Sequence, residues 1–139
     1  MSNNKLFLKI ITQEKILVEE EVDAVYSKAI DGDFGVLPGH IPYMTALDIN
    51  TTKYIKGNSA EYVSTIGGIF QVSNNNVTIL ADTAELGKEI DITRAKAAKE
   101  RAEARLRTGV KDIDTERAQA ALHRAIARIQ TASKMRPGI

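Results

Sequence analysis

The chain has 139 residues, enough for one ordinary domain or a small domain with an appendage. It contains no cysteine, which excludes a disulfide framework, a thiol nucleophile and cysteine-bound zinc, and no tryptophan. Its net charge of +1 hides a split: residues 1–87 carry 6 Lys+Arg against 11 Asp+Glu, and residues 88–139 carry 13 against 7. A basic C-terminal half suits an acidic partner, a phosphate group or the acidic half of its own chain.

No apolar run approaches the roughly 20 residues of a membrane helix, and Lys5 and Lys9 interrupt the short apolar run at the start, unlike a signal peptide. Alternation of Leu6, Leu8 and Ile10 with Phe7, Lys9 and Ile11 predicts a first strand. A second is expected at Ile16–Val18, after a turn at Gln13–Lys15, and a third around Val22, Val25 and Tyr26. Residues 31–42 read as a loop. Within it, Leu37-Pro38-Gly39-His40 has the pattern of a type II turn: proline presets the first central φ and glycine takes the positive one. Two hairpins follow, one turning at Gly57-Asn58 and one at Ser73–Asn76. Gly67-Gly68 fits a bulge or sheet corner better than a phosphate loop. Short strands joined by tight turns indicate a sandwich or flattened barrel.

The stretch Glu85–Ala95 changes the pattern. Gly87 is expected to act as a hinge, and Asp91 as the N-cap of a helix from Ile92 to about Arg107. The apolar line of that helix is Ile92, Ala95, Ala98, Ala102 and Leu106. Gly109 is the expected C-cap, and Val110–Ile113 the connection. A second helix is expected from Asp112 or Asp114 to about Ser133, with Ala118, Ala121, Leu122, Ala125, Ile129 and Ala132 inward; Pro137-Gly138 closes the chain. Alanine has high helix propensity but little area to bury, so such a hairpin packs closely and binds weakly. It looks built to rearrange.

Arg94, Arg101 and Arg105 share one helix face, and Arg117, Arg124 and Arg128 repeat the spacing. Converging guanidiniums near Asp91 would suit phosphate oxygens; the plainer reading is a solvated face paired with Glu100, Glu103 and Glu116. His40 and His123 have no acidic cluster at metal-ligand spacing, so no metal is expected. There is no Gly-x-Ser-x-Gly elbow and no phosphate-loop motif, so the chain reads as no enzyme, with no catalytic residue. Nucleic-acid binding is disfavoured, because the second helix presents alanine where groove contacts would be needed.

Four segments carry a resemblance: the loop Gly32–Pro42, Ala81-Asp82-Thr83-Ala84-Glu85, Ile90-Asp91-Ile92-Thr93-Arg94-Ala95, and the Ala/Arg-rich hairpin ending near Met135. Together they resemble the ε subunits of bacterial F-type ATP synthase, over nearly the whole chain. The resemblance implies an α+β fold: an antiparallel β-sandwich of about ten strands over residues 1–87, then a two-helix hairpin over 88–139. It implies a central-stalk subunit on the cytoplasmic face of the bacterial membrane, peripheral to it, that couples proton or sodium translocation to ATP synthesis. The sandwich would hold the γ subunit and rest on the rotor ring of c subunits, with Asp33 toward the ring and His40 toward γ. The helical arm would extend into the αβ hexamer, meet an acidic segment of β, and block ATP hydrolysis. Some members bind ATP as a regulatory ligand; the matching positions are Glu85, Asp91, Arg94, Ala95, Arg101, Arg124 and Arg128, with the role of magnesium open. The rival expectations are a purely structural coupling subunit and, less favoured, a basic-arm RNA-binding protein.

Overall fold

The computed structural model describes residues 4–108 and 112–136, with side chains from Thr115 onward in the second of these segments. Ten strands precede two helices: β1 Leu6–Ile11, β2 Ile16–Val22, β3 Ala24–Ala29, β4 Gly32–Val36, β5 Tyr43–Ala46, β6 Asn50–Lys56, β7 Ser59–Ile66, β8 Ile69–Ser73, β9 Asn76–Leu80 and β10 Thr83–Leu86, then α1 Ile92–Arg107 and α2 Asp112–Met135. A 3-10 turn at Gly87–Glu89 joins the two parts. The strands form two five-stranded sheets, the first ordered β2-β1-β9-β8-β5 and the second β10-β7-β6-β3-β4. Among the described residues every pairing of two strands is antiparallel except β1 with β9, which is parallel. That pair joins the first strand to one that follows it by some 65 residues, so local turn reading does not predict it.

Period-two alternation puts Leu6, Leu8 and Ile10 of β1 in the interior, with Phe70 and Val72 of β8 and Val77 and Ile79 of β9. The second sheet contributes Val25, Val36, Tyr54 and Val63. Phe34 meets Phe70 edge-on, with ring centroids 4.7 Å apart. Burying a branched aliphatic or phenylalanine side chain stabilises by roughly 1.5–3 kcal/mol, so this core makes the sandwich the firm part of the molecule. The inner face of the second sheet also buries polar groups. Ser27 Oγ lies 2.9 Å from Thr52 Oγ1, which lies 2.7 Å from Thr65 Oγ1, and the Asn50 amide donates to Thr65 Oγ1 at 3.3 Å. These mutual bonds remove the desolvation cost of burying hydroxyls.

Turn chemistry follows the sequence closely. His40 N donates to the Leu37 carbonyl and Gly39 has φ +88°, which is the expected type II turn. Asn74 and Asn75 both take positive φ between β8 and β9. Gly67 and Gly68 stand where the chain leaves the second sheet for the first; a Cβ on Gly68 would lie 2.0 Å from the Leu80 carbonyl oxygen. They are a sheet corner.

Three expectations change. Asp33 lies in β4, in register with Lys28, instead of in a loop; the loop tip is Ile30-Asp31. β2 continues to Val22 through the charged run Glu19–Glu21, because an edge strand with one solvated face accepts acids. Gly87 is no positive-φ hinge. It is buried, and a Cβ there would lie 2.5 Å from Met135 Cγ and 2.8 Å from the Tyr62 carbonyl oxygen, so its role is close approach.

Helix α1 starts and ends as expected: Asp91 accepts from Arg94 N, and Thr108 closes the helix through Ala104 and Arg105 carbonyls. The expected cap at Gly109, and Pro137-Gly138, lie outside the described residues. Helix α2 runs two residues beyond the expected end. It has two working faces. Ala118, Ala125 and Ala132 are buried as the hairpin line requires, and Ala127 and Thr131 are buried too. Thr131 faces the second sheet: its hydroxyl donates to the Ala127 carbonyl, and Thr51 Oγ1 lies 2.7 Å from it. The arm is therefore docked on the sandwich through α2.

Candidate functional site

The site forms where β10, the 3-10 turn and the start of α1 meet α2. Glu85 lies on β10 in register with Ser64 of β7, so both point from the outer face of the second sheet. Arg128, one face-turn from Arg124 on α2, reaches down to Glu85, with Nε 3.5 Å from Oε1. Both side chains are part-exposed, so this pair contributes at most about 1 kcal/mol. Beside it is a cavity of about 230 Å³ lined by Glu14, Lys15, Ser64, Ile66, Thr83, Ala84, Glu85 and Arg128. Ser64 Oγ is buried there without a hydrogen-bond partner among the described residues.

Asp91 uses an oxygen to cap α1, accepting from Arg94 N at 3.0 Å, and its carbonyl accepts from the buried Ala95. The first turn of α1 holds no acidic residue, so its amides and helix dipole favour an anion. The geometry thus joins Glu85 to Arg128, and Asp91 to Arg94 and Ala95. Among the described residues Arg94, Arg101 and Arg124 form no hydrogen bond or ion pair through their side chains, and Arg94 and Arg101 are exposed. No ion pair links the arm's arginines to Glu100, Glu103 or Glu116 among the described residues, so the plainer paired-face expectation is not what is seen. The arm's charge instead meets the acidic half through Arg128–Glu85 and, at 3.9 Å, Lys88–Glu61.

Sequence reasoning missed Arg136. Its Nη2 donates to the carbonyls of Ile90 at 2.6 Å and Gly87 at 3.3 Å, tying the end of α2 to the joint. A cation after the last helical turn is a common C-terminal signal. Its acceptors, 46 and 49 residues away, are set only by tertiary packing.

The predicted partner contacts lie elsewhere. His40 sits in the loop between β4 and β5, with Nδ1 2.6 Å from the Ile41 carbonyl and its ring against Tyr43. Asn75 accepts from Gly39 N and fixes that loop to the β8–β9 turn. Asp33 is exposed on the edge strand β4.

A β-sandwich carrying a docked, basic two-helix arm defines the class: a small platform with a separate helical appendage. The description of the ATP synthase delta/epsilon chain β-sandwich domain matches residues 5–87, and that of the delta/epsilon long α-helix domain matches residues 88–133. The chain is 46% identical over 101 residues to the ATP synthase epsilon chain of Nitratidesulfovibrio vulgaris, covering 73% of this chain and 75% of that one. It is 48% identical over 104 residues to the epsilon chain of Thermodesulfovibrio yellowstonii, covering 75% and 74%. In fold it resembles a chain in the Euglena gracilis mitochondrial ATP synthase OSCP/F1/c-ring structure, with TM-score 0.80 and 22% identity over 89% of this chain and 79% of that one. A chain of the Tetrahymena thermophila central stalk and c-ring structure gives TM-score 0.58 at 13% identity, covering 97% and 98%. The chain belongs to the ATP synthase delta/epsilon family and stands with its epsilon chains. It is a non-catalytic stalk subunit of the F-type enzyme.

Proposed function

We propose that this subunit is a conformational brake on the rotor, whose docked arm permits ATP hydrolysis and whose extended arm blocks it. The supporting observation is the chemistry of the α2–sandwich interface. It centres on the small residues Ala127, Thr131 and Gly87, with Met135 packed on Gly87, Lys134 over the Tyr62 ring, a part-exposed ion pair and a few hydrogen bonds. Such a joint releases without dismantling the sandwich core. The extended arm enters the αβ hexamer and meets an acidic segment of β, as its excess of cations suits. Removing the arm after Gly87 should preserve assembly and raise ATP hydrolysis by the complex; unchanged hydrolysis refutes the brake and leaves a purely structural coupling subunit.

ATP is the proposed regulatory ligand of the docked state, held by Arg94, Arg101, Arg124 and Arg128, with Glu85, Asp91 and Ala95 shaping the site. Support comes from the acid-free first turn of α1 and from the partner-free side chains of Arg94, Arg101 and Arg124. Each charge-assisted bond to phosphate contributes roughly 1.5–3 kcal/mol. Calorimetry with ATP, with and without magnesium, on the wild type and Arg94→Ala tests this. Equal heats from both proteins, or none at millimolar ATP, remove the site.

The outer face of the first sheet is the proposed seat of γ. Ala46, Ile69, Leu80, Ile11 and Ile16 form one cross-strand row over all five strands. Ile69, Leu80 and Ile16 are 45%, 50% and 53% exposed. A continuous apolar row of this kind marks an interaction surface. His40 borders γ in this reading, and Asp33 with the adjoining loop tip faces the c ring. This places the subunit at the cytoplasmic face of the bacterial membrane, held there by the complex that moves protons or sodium. No helix among the described residues is long and apolar enough to cross a membrane. Leu80→Asp should abolish co-elution with γ; retained co-elution would refute the seat.

A further inference from the structure

We infer that the cleft between α2 and the outer face of the second sheet is a separate binding site for a soluble oligophosphate. The cleft has a volume of about 560 Å³. Its cations come from both walls: Lys28 on β3 and Lys53 on β6 below, and Lys134 on α2 above, with His123 also lining the α2 side. Among the described residues none of the three lysines has an ion-pair partner. Elsewhere on the sandwich Lys5, Lys9 and Lys56 are paired with Asp23, Glu19 and Glu20. The one carboxylate lining the cleft is Asp33, so its walls carry an excess of positive charge.

The lysines are held in an ordered arrangement. Tyr26, Lys53 and Tyr62 lie side by side on β3, β6 and β7 in direct register. Lys53 Nζ is 5.8 Å from the Tyr26 ring centroid, and Lys134 Nζ is 5.9 Å from that of Tyr62. Both are at cation–π distance, which positions each ammonium without neutralising it. Gly35, opposite Tyr26 on β4, makes the arrangement fit. A Cβ there would lie 2.7 Å from two ring carbons, so the Tyr26 ring uses the space a side chain would fill.

The spread of the cations selects the ligand. Lys53 is opposite Tyr26, and Lys28 is two residues further along β3, so Lys28 and Lys53 are diagonal neighbours about 7–8 Å apart. Lys134 descends from the other wall. A single carboxylate cannot meet all three. A short chain of phosphates can, because each group offers several oxygens and lysine binds phosphate as a point charge. Since one wall is the arm and the other the sandwich, the bound ligand also favours the docked arm.

The test is an NMR titration of the full chain with sodium tripolyphosphate at about 0.1 M salt, where loose surface attraction is screened. Saturable shifts are expected at the amides of Tyr26, Lys53 and Tyr62. The double variant Lys53→Gln, Lys134→Gln should weaken the affinity read at these amides at least tenfold while keeping the wild-type circular dichroism. Lys96→Gln, Lys99→Gln removes the same charge from α1 and should change it less than twofold. Absence of saturable shifts at these amides, or equal weakening by the two double variants, overturns the site. Pelleting with phosphatidylglycerol vesicles should retain no protein at the same salt. Retention that depends on Lys53 and Lys134 would transfer the site to a lipid headgroup and overturn the soluble ligand.

Discussion

Gly87→Ala isolates the docking of the arm from the stability of the platform. The backbone at Gly87 is outside the left-handed region, so alanine brings no conformational strain there. The added Cβ would instead lie 2.5 Å from Met135 Cγ, 2.8 Å from the Tyr62 carbonyl oxygen and 3.2 Å from Thr131 Cγ2. Two of these neighbours belong to α2 and can move away with it. The third is sheet backbone and cannot. Overpacking of this kind costs about 1–3 kcal/mol, and the share set against Met135 and Thr131 falls on the docked state alone. The docked-to-released ratio should fall about 5- to 150-fold. The absence of cysteine allows clean labelling at Asn58→Cys and Gln119→Cys, one on the sandwich and one on α2. The distance distribution between the labels should lose its single docked population and broaden, while the sandwich keeps its cooperative thermal transition. In the assembled enzyme the same variant should hydrolyse ATP more slowly, opposite in sign to removal of the arm. An unchanged distance distribution, or a loss of sandwich stability matching the whole effect, would refute the assignment of Gly87 to close packing under the arm.

Arg136→Gln removes the charged donor to two joint carbonyls and should weaken docking by about 2 kcal/mol. Faster hydrogen exchange confined to the two helices is the expected result, and unchanged protection contradicts it. Gly68→Ala puts a Cβ 2.0 Å from a backbone oxygen at φ +109° and should unfold the sandwich itself, seen as loss of the cooperative thermal transition. The Lys5 ammonium, and then the Gly57 amide, hold the Asp23 carboxyl below its ordinary value. A lowered folded-state pKa means stability present above the unfolded value, about pH 4, and lost as pH falls through the folded one. Asp23→Asn should therefore flatten the melting temperature across that acid window and leave its slope near neutrality unchanged; an identical acid slope would exclude the role.

The helices were legible because alanine recurs at three and four residues and Asp91 supplies a cap, both local signals. So were the type II turn at Leu37–His40 and the corner at Gly67-Gly68, where glycine is the only residue that fits. β4 and β5 were not. Gly32-Asp33-Phe34-Gly35 has two glycines in four residues, and only Phe34 and Val36 point inward, too short an alternation to separate from a loop. The second working face of α2 was hidden for a different reason. Alanine gives the same letter on the hairpin seam and against the sheet, so Ala127 cannot be told from Ala125 by pattern. The small residues at Thr131 and Gly87 take meaning only once they touch. At the candidate site, the resemblance named Glu85 and Arg128 as separate positions, whereas their pairing, Arg136, Ser64 and the Lys53 row depend on register and docking that no local window contains.

The division between large and small residues is what the proposed brake needs of a chain that serves as both platform and switch. Phe70, Leu6, Leu8, Ile10 and Ile79 fill the sandwich, each offering roughly 1.5–3 kcal/mol on burial. The arm meets that platform mostly through small residues, and its attachment rests on a hydrogen bond between Thr51 and Thr131, the Arg136 contacts, Met135 on Gly87, Lys134 over Tyr62 and a solvent-screened ion pair. Driving a two-state arm from 1:99 to 99:1 needs about 5.5 kcal/mol of differential binding. Two or three charge-assisted phosphate contacts made only in the docked state reach that range. Had leucines stood at Ala127 and Thr131, their burial would have moved the equilibrium beyond the reach of such a ligand. In the proposed brake, this small-residue joint keeps the arm's two positions close enough in free energy for a small anion to choose between them.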